Sequence, residues 1–146
     1  MKKLGSELLR GLQRKPPTAK VGPVAVVPTE RTLVTELCHL LRNKGYTAVA
    51  EAALPGTRYR PDLLLVDERP VILEAKRPGS DLPKHREQAM KYVRVLLELH
   101  PGLEPAVAIT DFTRALTRPF PTSEWEKAKV RNLEELADLL IDLASR

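Results

Sequence analysis

Cysteine is almost missing from this chain: Cys38 stands alone among 146 residues. That excludes a disulfide scaffold and points to a reducing compartment. No apolar run comes near the ~20 residues that a membrane-spanning helix needs, so a bilayer-embedded class is excluded. The opening Met-Lys-Lys-Leu-Gly-Ser-Glu is interrupted by Glu7 and Arg10 before a signal-peptide core of ~7 to 15 apolar residues can form. The expectation is a cytoplasmic protein with no membrane partner. A phosphate loop of the form Gly-X-X-X-X-Gly-Lys-Ser/Thr is also lacking, which leaves no ATP motor in the sequence. His39, His85 and His100 are scattered without metal-ligand spacing. No internal repeat is found.

What is present fits one domain, because 146 residues suffice for a single modest core. The 42% hydrophobic and 29% charged content is that of an ordinary globular protein. The formal net charge of +5 is unevenly placed. Residues 1–28 hold Lys2, Lys3, Arg10, Arg14, Lys15 and Lys20 against Glu7, so the excess lies in that arm and the rest of the chain is balanced. Such an arm either attracts polyanions through phosphate neutralisation and counterion release, or serves as a solubilising tail.

Residues 4–14 can form a short helix with Leu4, Leu8 and Leu12 on one side, and Pro16, Pro17, Gly22, Pro23 and Pro28 then make 15–28 a linker. From Thr29 the pattern changes. Leu33, Val34, Leu37, Leu40 and Leu41 recur at helical spacing, with Thr29 as a cap and Gly45 as a stop. Cys38 falls on the apolar side of that helix, a core position more than a nucleophile's. Short Val-, Ile- and Leu-rich runs at 46–53, 60–66 and 71–76 read as three strands, the last two as a hairpin. A helix follows over about 84–99, then a strand at 105–110. Asn132 with Glu135 resembles a capping box opening a final helix with Leu133, Leu136, Leu139, Leu140 and Leu143 on one side. Trp125 and Phe120 are placed under that helix. The domain at 29–146 is thus α/β, a mixed sheet flanked by helices in the order α-β-β-β-α-β, plus a C-terminal helix.

Charges interrupt one of these strands. Val71-Ile72-Leu73-Glu74-Ala75-Lys76 is apolar on both sides until Glu74 and Lys76, which period-two alternation puts on one face. Burying both costs several kcal/mol per ion unless each finds a partner or a metal; the simpler alternative is a solvated pair at the sheet rim. Asp62, behind Pro61 at the start of the other hairpin strand, adds a second carboxylate. Asp62 and Glu74 are hard oxygen ligands of the kind Mg²⁺ takes, and the Ala75 carbonyl offers a third protein ligand. For both carboxylates to share a face, the hairpin needs a three-residue loop or a bulge, pairing Leu64 with Glu74 and Asp62 with Lys76.

Pro61-Asp62 with Glu74-Ala75-Lys76 resembles the PD-(D/E)XK nuclease signature, and the strand order is similar to that family's restriction-endonuclease-like α-β-β-β-α-β core. Gln88 and Tyr92, stacked four residues apart on the next helix, resemble the Gln-X-X-X-Tyr motif of RecB-like nucleases and of the nuclease domain of type I restriction motor subunits. The alternative is that Tyr92 is core and Gln88 faces solvent. Glu30 resembles the acidic residue on that family's first helix, with Glu36 as competitor, and Arg60 resembles the basic residue before its motif. The likeness covers roughly 29–115.

The resemblance implies a Mg²⁺-dependent nuclease, with Mn²⁺ as a substitute, that hydrolyses DNA phosphodiesters in restriction, repair or recombination. It implies Asp62, Glu74 and Ala75 at the metal, Lys76 at the water and phosphate, Gln88 and Tyr92 positioning the backbone or Lys76, and Glu30 assisting. Arg60 and the arm's Lys2, Lys3, Arg10, Arg14, Lys15 and Lys20 would contact nucleic acid. Cutting a duplex implies a homodimer, or a helicase or specificity partner. Two rivals stand beside it: a non-catalytic nucleic-acid- or partner-binding module on the same fold, and a structural protein assembling through its Leu-rich last helix.

Overall fold

The computed structural model describes residues 29–51, 53–54, 57–67, 69–120 and 124–146. The expected helix at 4–14, the linker and the six basic arm residues lie outside these.

Helix α1 (Glu30–Asn43) starts where Thr29 Oγ1 accepts the Thr32 N–H at 3.3 Å. It ends where Gly45 turns to φ +94°, with the Tyr46 N–H on the Leu41 carbonyl and the Gly45 N–H on the Arg42 carbonyl. Those two bonds are a Schellman cap, and glycine holds the left-handed position without strain. Val34, Leu37, Cys38 and Leu41 form its buried stripe. Cys38 is core, its Sγ 3.2 Å from the Ala48 carbonyl, and burial pushes its thiol up.

Strands β1 (Thr47–Ala50), β2 (Leu63–Val66) and β3 (Val71–Ala75) form an antiparallel meander, and helix α2 (Arg86–Leu99), entered through a 3₁₀ turn at Leu82–His85, crosses over to β4 (Ala106–Thr110), parallel to β3. Strands β5 (Arg114–Arg118) and β6 (Glu126–Lys129) continue antiparallel, and helix α3 (Leu133–Ser145) closes the domain. The sheet runs β1 to β6 in chain order. No described helix is long and apolar enough to cross a membrane.

Alternation sorts the core into two layers. Val71, Leu73, Ala106 and Ala108 pack with α1 and α3, including Leu37, Leu136 and Leu140. Ile72, Val107, Ile109 and Leu116 pack with α2 through Ala89, Tyr92, Val93 and Leu96. With helices on both faces, β3 and β4 read as unbroken apolar runs, as a buried parallel pair does.

Several expectations are corrected. Strands β5 and β6 were not anticipated: β6 is Glu-Lys-Ala-Lys, a polar edge strand with no hydrophobic signature of its own. β1 stops at Ala50 because Glu51 turns to φ 51°, and β2 starts after Pro61, which has no N–H to give a ladder. Trp125 packs in the α2 layer, not under α3, and Phe120 borders an apolar depression with Met90, Val93 and Leu97. Asn132 does cap α3, accepting the Glu135 N–H at 2.8 Å, but Glu135 returns its bond to the Arg131 N–H at 2.9 Å, one residue outside a capping box.

Candidate active site

The β2–β3 register pairs Leu63 with Leu73, Leu64 with Ile72 and Leu65 with Val71. The connection therefore has the odd parity that a shared face requires. The pairing itself is shifted by two from the expected one: Leu64 faces Ile72 and not Glu74, and continuing the register sets Asp62 across from Glu74 and not Lys76. Pro61 cannot extend the ladder, and the Asp62 carboxylate takes its place, Oδ2 accepting the Ala75 N–H at 2.7 Å.

Glu74 is 4% exposed, and its Oε1 is buried without a hydrogen-bond partner. Its Oε2 lies 3.9 Å from Lys76 Nζ. Burial, then the charge of Asp62, pushes the Glu74 carboxyl up to about 7 against the pull of Lys76. Burial also raises Asp62; the Ala75 N–H and Lys76 oppose it, while Glu51 and Glu30 add to it. The rim-pair alternative for Glu74 and Lys76 does not describe this geometry, since the carboxylate is not solvated. Two coupled carboxylates, one with an orphaned buried oxygen, fit a divalent cation held with retained waters. Among the described residues no three of His, Cys, Asp or Glu gather into a metal cage, so any such site rests on two carboxylates.

Lys76 follows the last residue of β3, its N–H on the Thr110 carbonyl at 2.8 Å, so β4 sets where the ammonium stands. On α2, Tyr92 is buried, its ring edge-on to Tyr59 at 5.7 Å and 88°, whereas Gln88 is exposed and hydrogen-bonds the Tyr92 hydroxyl. Burial and the nearby charge of Glu74 push that hydroxyl up. Tyr92 thus stands in the field of Glu74 while also serving as core, and Gln88 connects to the site only through it.

Beside Asp62 and Ala75 opens a cleft of about 170 Å³ bordered by Glu30, Arg31 and Glu51. Glu30 stands there, 3.4 Å from Arg77, while Glu36 sits away from the cleft beside His39. Arg60 is exposed near the start of β2.

Three further residues join the site without having been anticipated. Glu51 borders the cleft, donates its N–H to the Asp62 carbonyl at 2.9 Å and meets Arg31 at 3.2 Å. Nothing local in the sequence marks a glutamate at positive φ. His85 stands in the field of Lys76 and is driven down, first by desolvation. Asp111, 1% exposed, accepts the N–H groups of Gly79 at 3.0 Å, Thr113 at 2.9 Å and Arg114 at 3.0 Å. Burial opposes the charge of Asp111, yet these bonds outweigh it and hold the carboxyl below its usual range. The bond to Gly79 ties down the segment just past Lys76. The sequence signal is Thr-Asp-Phe-Thr, an Asx turn.

The chain aligns with DrdV, solved as a complex with DNA, at 17% identity and a TM-score of 0.50, over 98% of this chain and 96% of that one. It aligns with the type IIG restriction endonuclease BpuSI at 14% identity and a TM-score of 0.50, over 84% of this chain but 17% of BpuSI. The fold is restriction-endonuclease-like. Neither a protein-family model nor a curated protein sequence matches the chain. In this restriction-endonuclease-like sheet, the site lies where the C-terminal ends of the parallel pair β3 and β4 meet the start of β2.

Proposed function

We propose that the chain is a PD-(D/E)XK-type nuclease that hydrolyses DNA phosphodiesters with Mg²⁺, or Mn²⁺ in its place. The observation that carries the reading is the buried Glu74 carboxylate, one oxygen of which has no hydrogen-bond partner, coupled to Asp62 with the Lys76 ammonium 3.9 Å from the other oxygen. Folding a like-charged pair into a desolvated place is costly without a cation between them.

Asp62 and Glu74 would hold the cation, with the Ala75 backbone beside them. When bound, it would polarise the scissile phosphate and lower the pKa of the attacking water. Lys76 offsets charge gathering on the phosphate and orients the nucleophile. Tyr92, held by Gln88 and Tyr59 in the field of Glu74, would position the substrate backbone or Lys76. Glu30 holds Arg77, the basic residue next to Lys76. One such site cuts one strand, so duplex scission calls for a second copy or a partner.

The experiment is a cleavage assay on linear, nicked, branched and single-stranded DNA with Mg²⁺ or with chelator. Lys76→Ala is expected to lower cleavage by about 10² or more while Mg²⁺ still stabilises the protein, as for loss of one electrostatic group. Glu74→Ala should lose both cleavage and Mg²⁺ stabilisation. A parent that binds DNA yet never cuts it with either metal belongs to the binding-module reading.

A further inference from the structure

Cross-strand pairing carries a row of side chains from the site to the far sheet edge. Glu74 pairs with Ile109, Ile109 with Leu116 and Leu116 with Lys127. Directly paired residues share a face, so Lys127 stands on the α2 side of the sheet, level with Glu74. Lys129 follows on the same side, paired with Arg114. Two cations directly opposed are unfavourable in an isolated sheet. Glu126, one residue before Lys127, points to the other side, where Arg146 engages it at 3.3 Å. Arg114 reaches Asp111 at 3.5 Å. Lys84, Lys127 and Lys129 are exposed and pair with no carboxylate among the described residues. Between Arg114 and Lys127 lies a shallow cleft of about 120 Å³ floored by Leu82, Pro83 and Leu116. Lys84 follows on the same 3₁₀ turn, and His85 leads back to Lys76. Asp81, on the same stretch, acts on His85.

We propose that this band is the track of the DNA backbone beyond the site, with Lys84, Arg114, Lys127 and Lys129 neutralising successive phosphates that lead away from Lys76. The proposal rests on the nuclease reading and adds the substrate path. Charge chooses the occupant: unpaired ammonium groups beside a polar edge strand suit a polyanion and repel a basic partner. Strands lie ~4.8 Å apart, so β3 to β6 spans roughly 14 Å. A duplex whose axis lies along this row has about 3.4 Å of axis per phosphate of one strand, so the span presents roughly four phosphates of that strand.

The test uses the full chain and a labelled 12-nucleotide DNA, single-stranded and duplex, with binding followed by anisotropy against salt in chelator. Lys127→Ala with Lys129→Ala should flatten the log K against log salt slope by about 2 and weaken binding up to ~60-fold at 0.1 M salt. Turnover at saturating DNA with Mg²⁺ should be unchanged, and Lys127→Arg with Lys129→Arg should restore affinity. Lys44→Ala with Arg69→Ala, which removes the same charge at the opposite end of the sheet, should leave the slope in place. A folded Lys127/Lys129 variant whose slope equals the parent's, in a parent that cleaves, overturns the track and leaves the nuclease standing. A parent with a Lys127- and Lys129-dependent slope but no cleavage keeps the track and removes the nuclease. A parent that binds anionic vesicles but no DNA overturns both.

Discussion

Replacing Glu74 by Gln isolates the electrostatic cost of the site. The carboxyl titrates near 7 in the folded protein against 4.5 when solvated, so the folded state takes up the proton more readily than the unfolded one. A raised carboxyl costs nothing well below 4.5; its cost grows as pH rises toward 7 and is constant above. The difference between 7 and 4.5, at about 1.4 kcal/mol per pH unit, amounts to about 3 kcal/mol. Glu74→Gln keeps the shape and removes the charge. Thermal melts at pH 8 should therefore show the variant more stable by about 3 kcal/mol, roughly 10 °C for a chain of this size. At pH 5 the gain should shrink to under ~1 kcal/mol, because most of the parent's carboxyl is then protonated. Saturating Mg²⁺ at pH 8 should close the gap, since only the parent gains from the cation. A variant equally stabilised at both pH values, or not stabilised at pH 8, would refute burial and Asp62 as the cause of the raised carboxyl.

Asp111→Ala would strand the Gly79, Thr113 and Arg114 N–H groups and loosen the segment after Lys76, lowering stability by about 2 to 4 kcal/mol in chemical denaturation. Asn132→Ala removes the cap of α3 at a cost of about 1 kcal/mol, read from the same denaturation midpoint, and leaves DNA cleavage unaltered. Deleting residues 1–28 should flatten the salt dependence of DNA binding by up to about six phosphate contacts and preserve saturating turnover; an unchanged slope makes the arm a solubility tail.

Local codes made part of this legible. The Thr29 and Asn132 caps, the Gly45 stop and the apolar stripes of α1 and α3 each act within a few residues, and so could be read directly. The two charges in an apolar strand announced Glu74 and Lys76 because burial makes a charge conspicuous. Register did not follow so easily. Its parity came from the shared-face requirement, but the pairing partner depends on where Pro61 breaks the ladder. β5 and β6 were illegible because a polar edge strand is specified by its neighbour and not by its own residues. The same holds for Glu51 and His85, which meet the site through contacts made across the fold; the turn at Asp111 is local, but its bond to Gly79 is not. Glu30 rather than Glu36 reaches the cleft, and that choice turns on which side of α1 faces Asp62, which helical spacing leaves open.

The parallel pairing of β3 with β4 has a kinetic consequence. Asp62 and Glu74 sit in a hairpin whose partners are about a dozen residues apart in sequence, and such neighbours meet early and cheaply in folding. The backbone of Lys76 is fixed through the Thr110 carbonyl, some thirty residues further along and beyond a whole helix. The carboxylates and the lysine thus belong to contacts of different loop length. An excursion that peels β4 away would leave the acidic pair in register and set the lysine adrift, so the site assembles last, and comes apart first, at its cation.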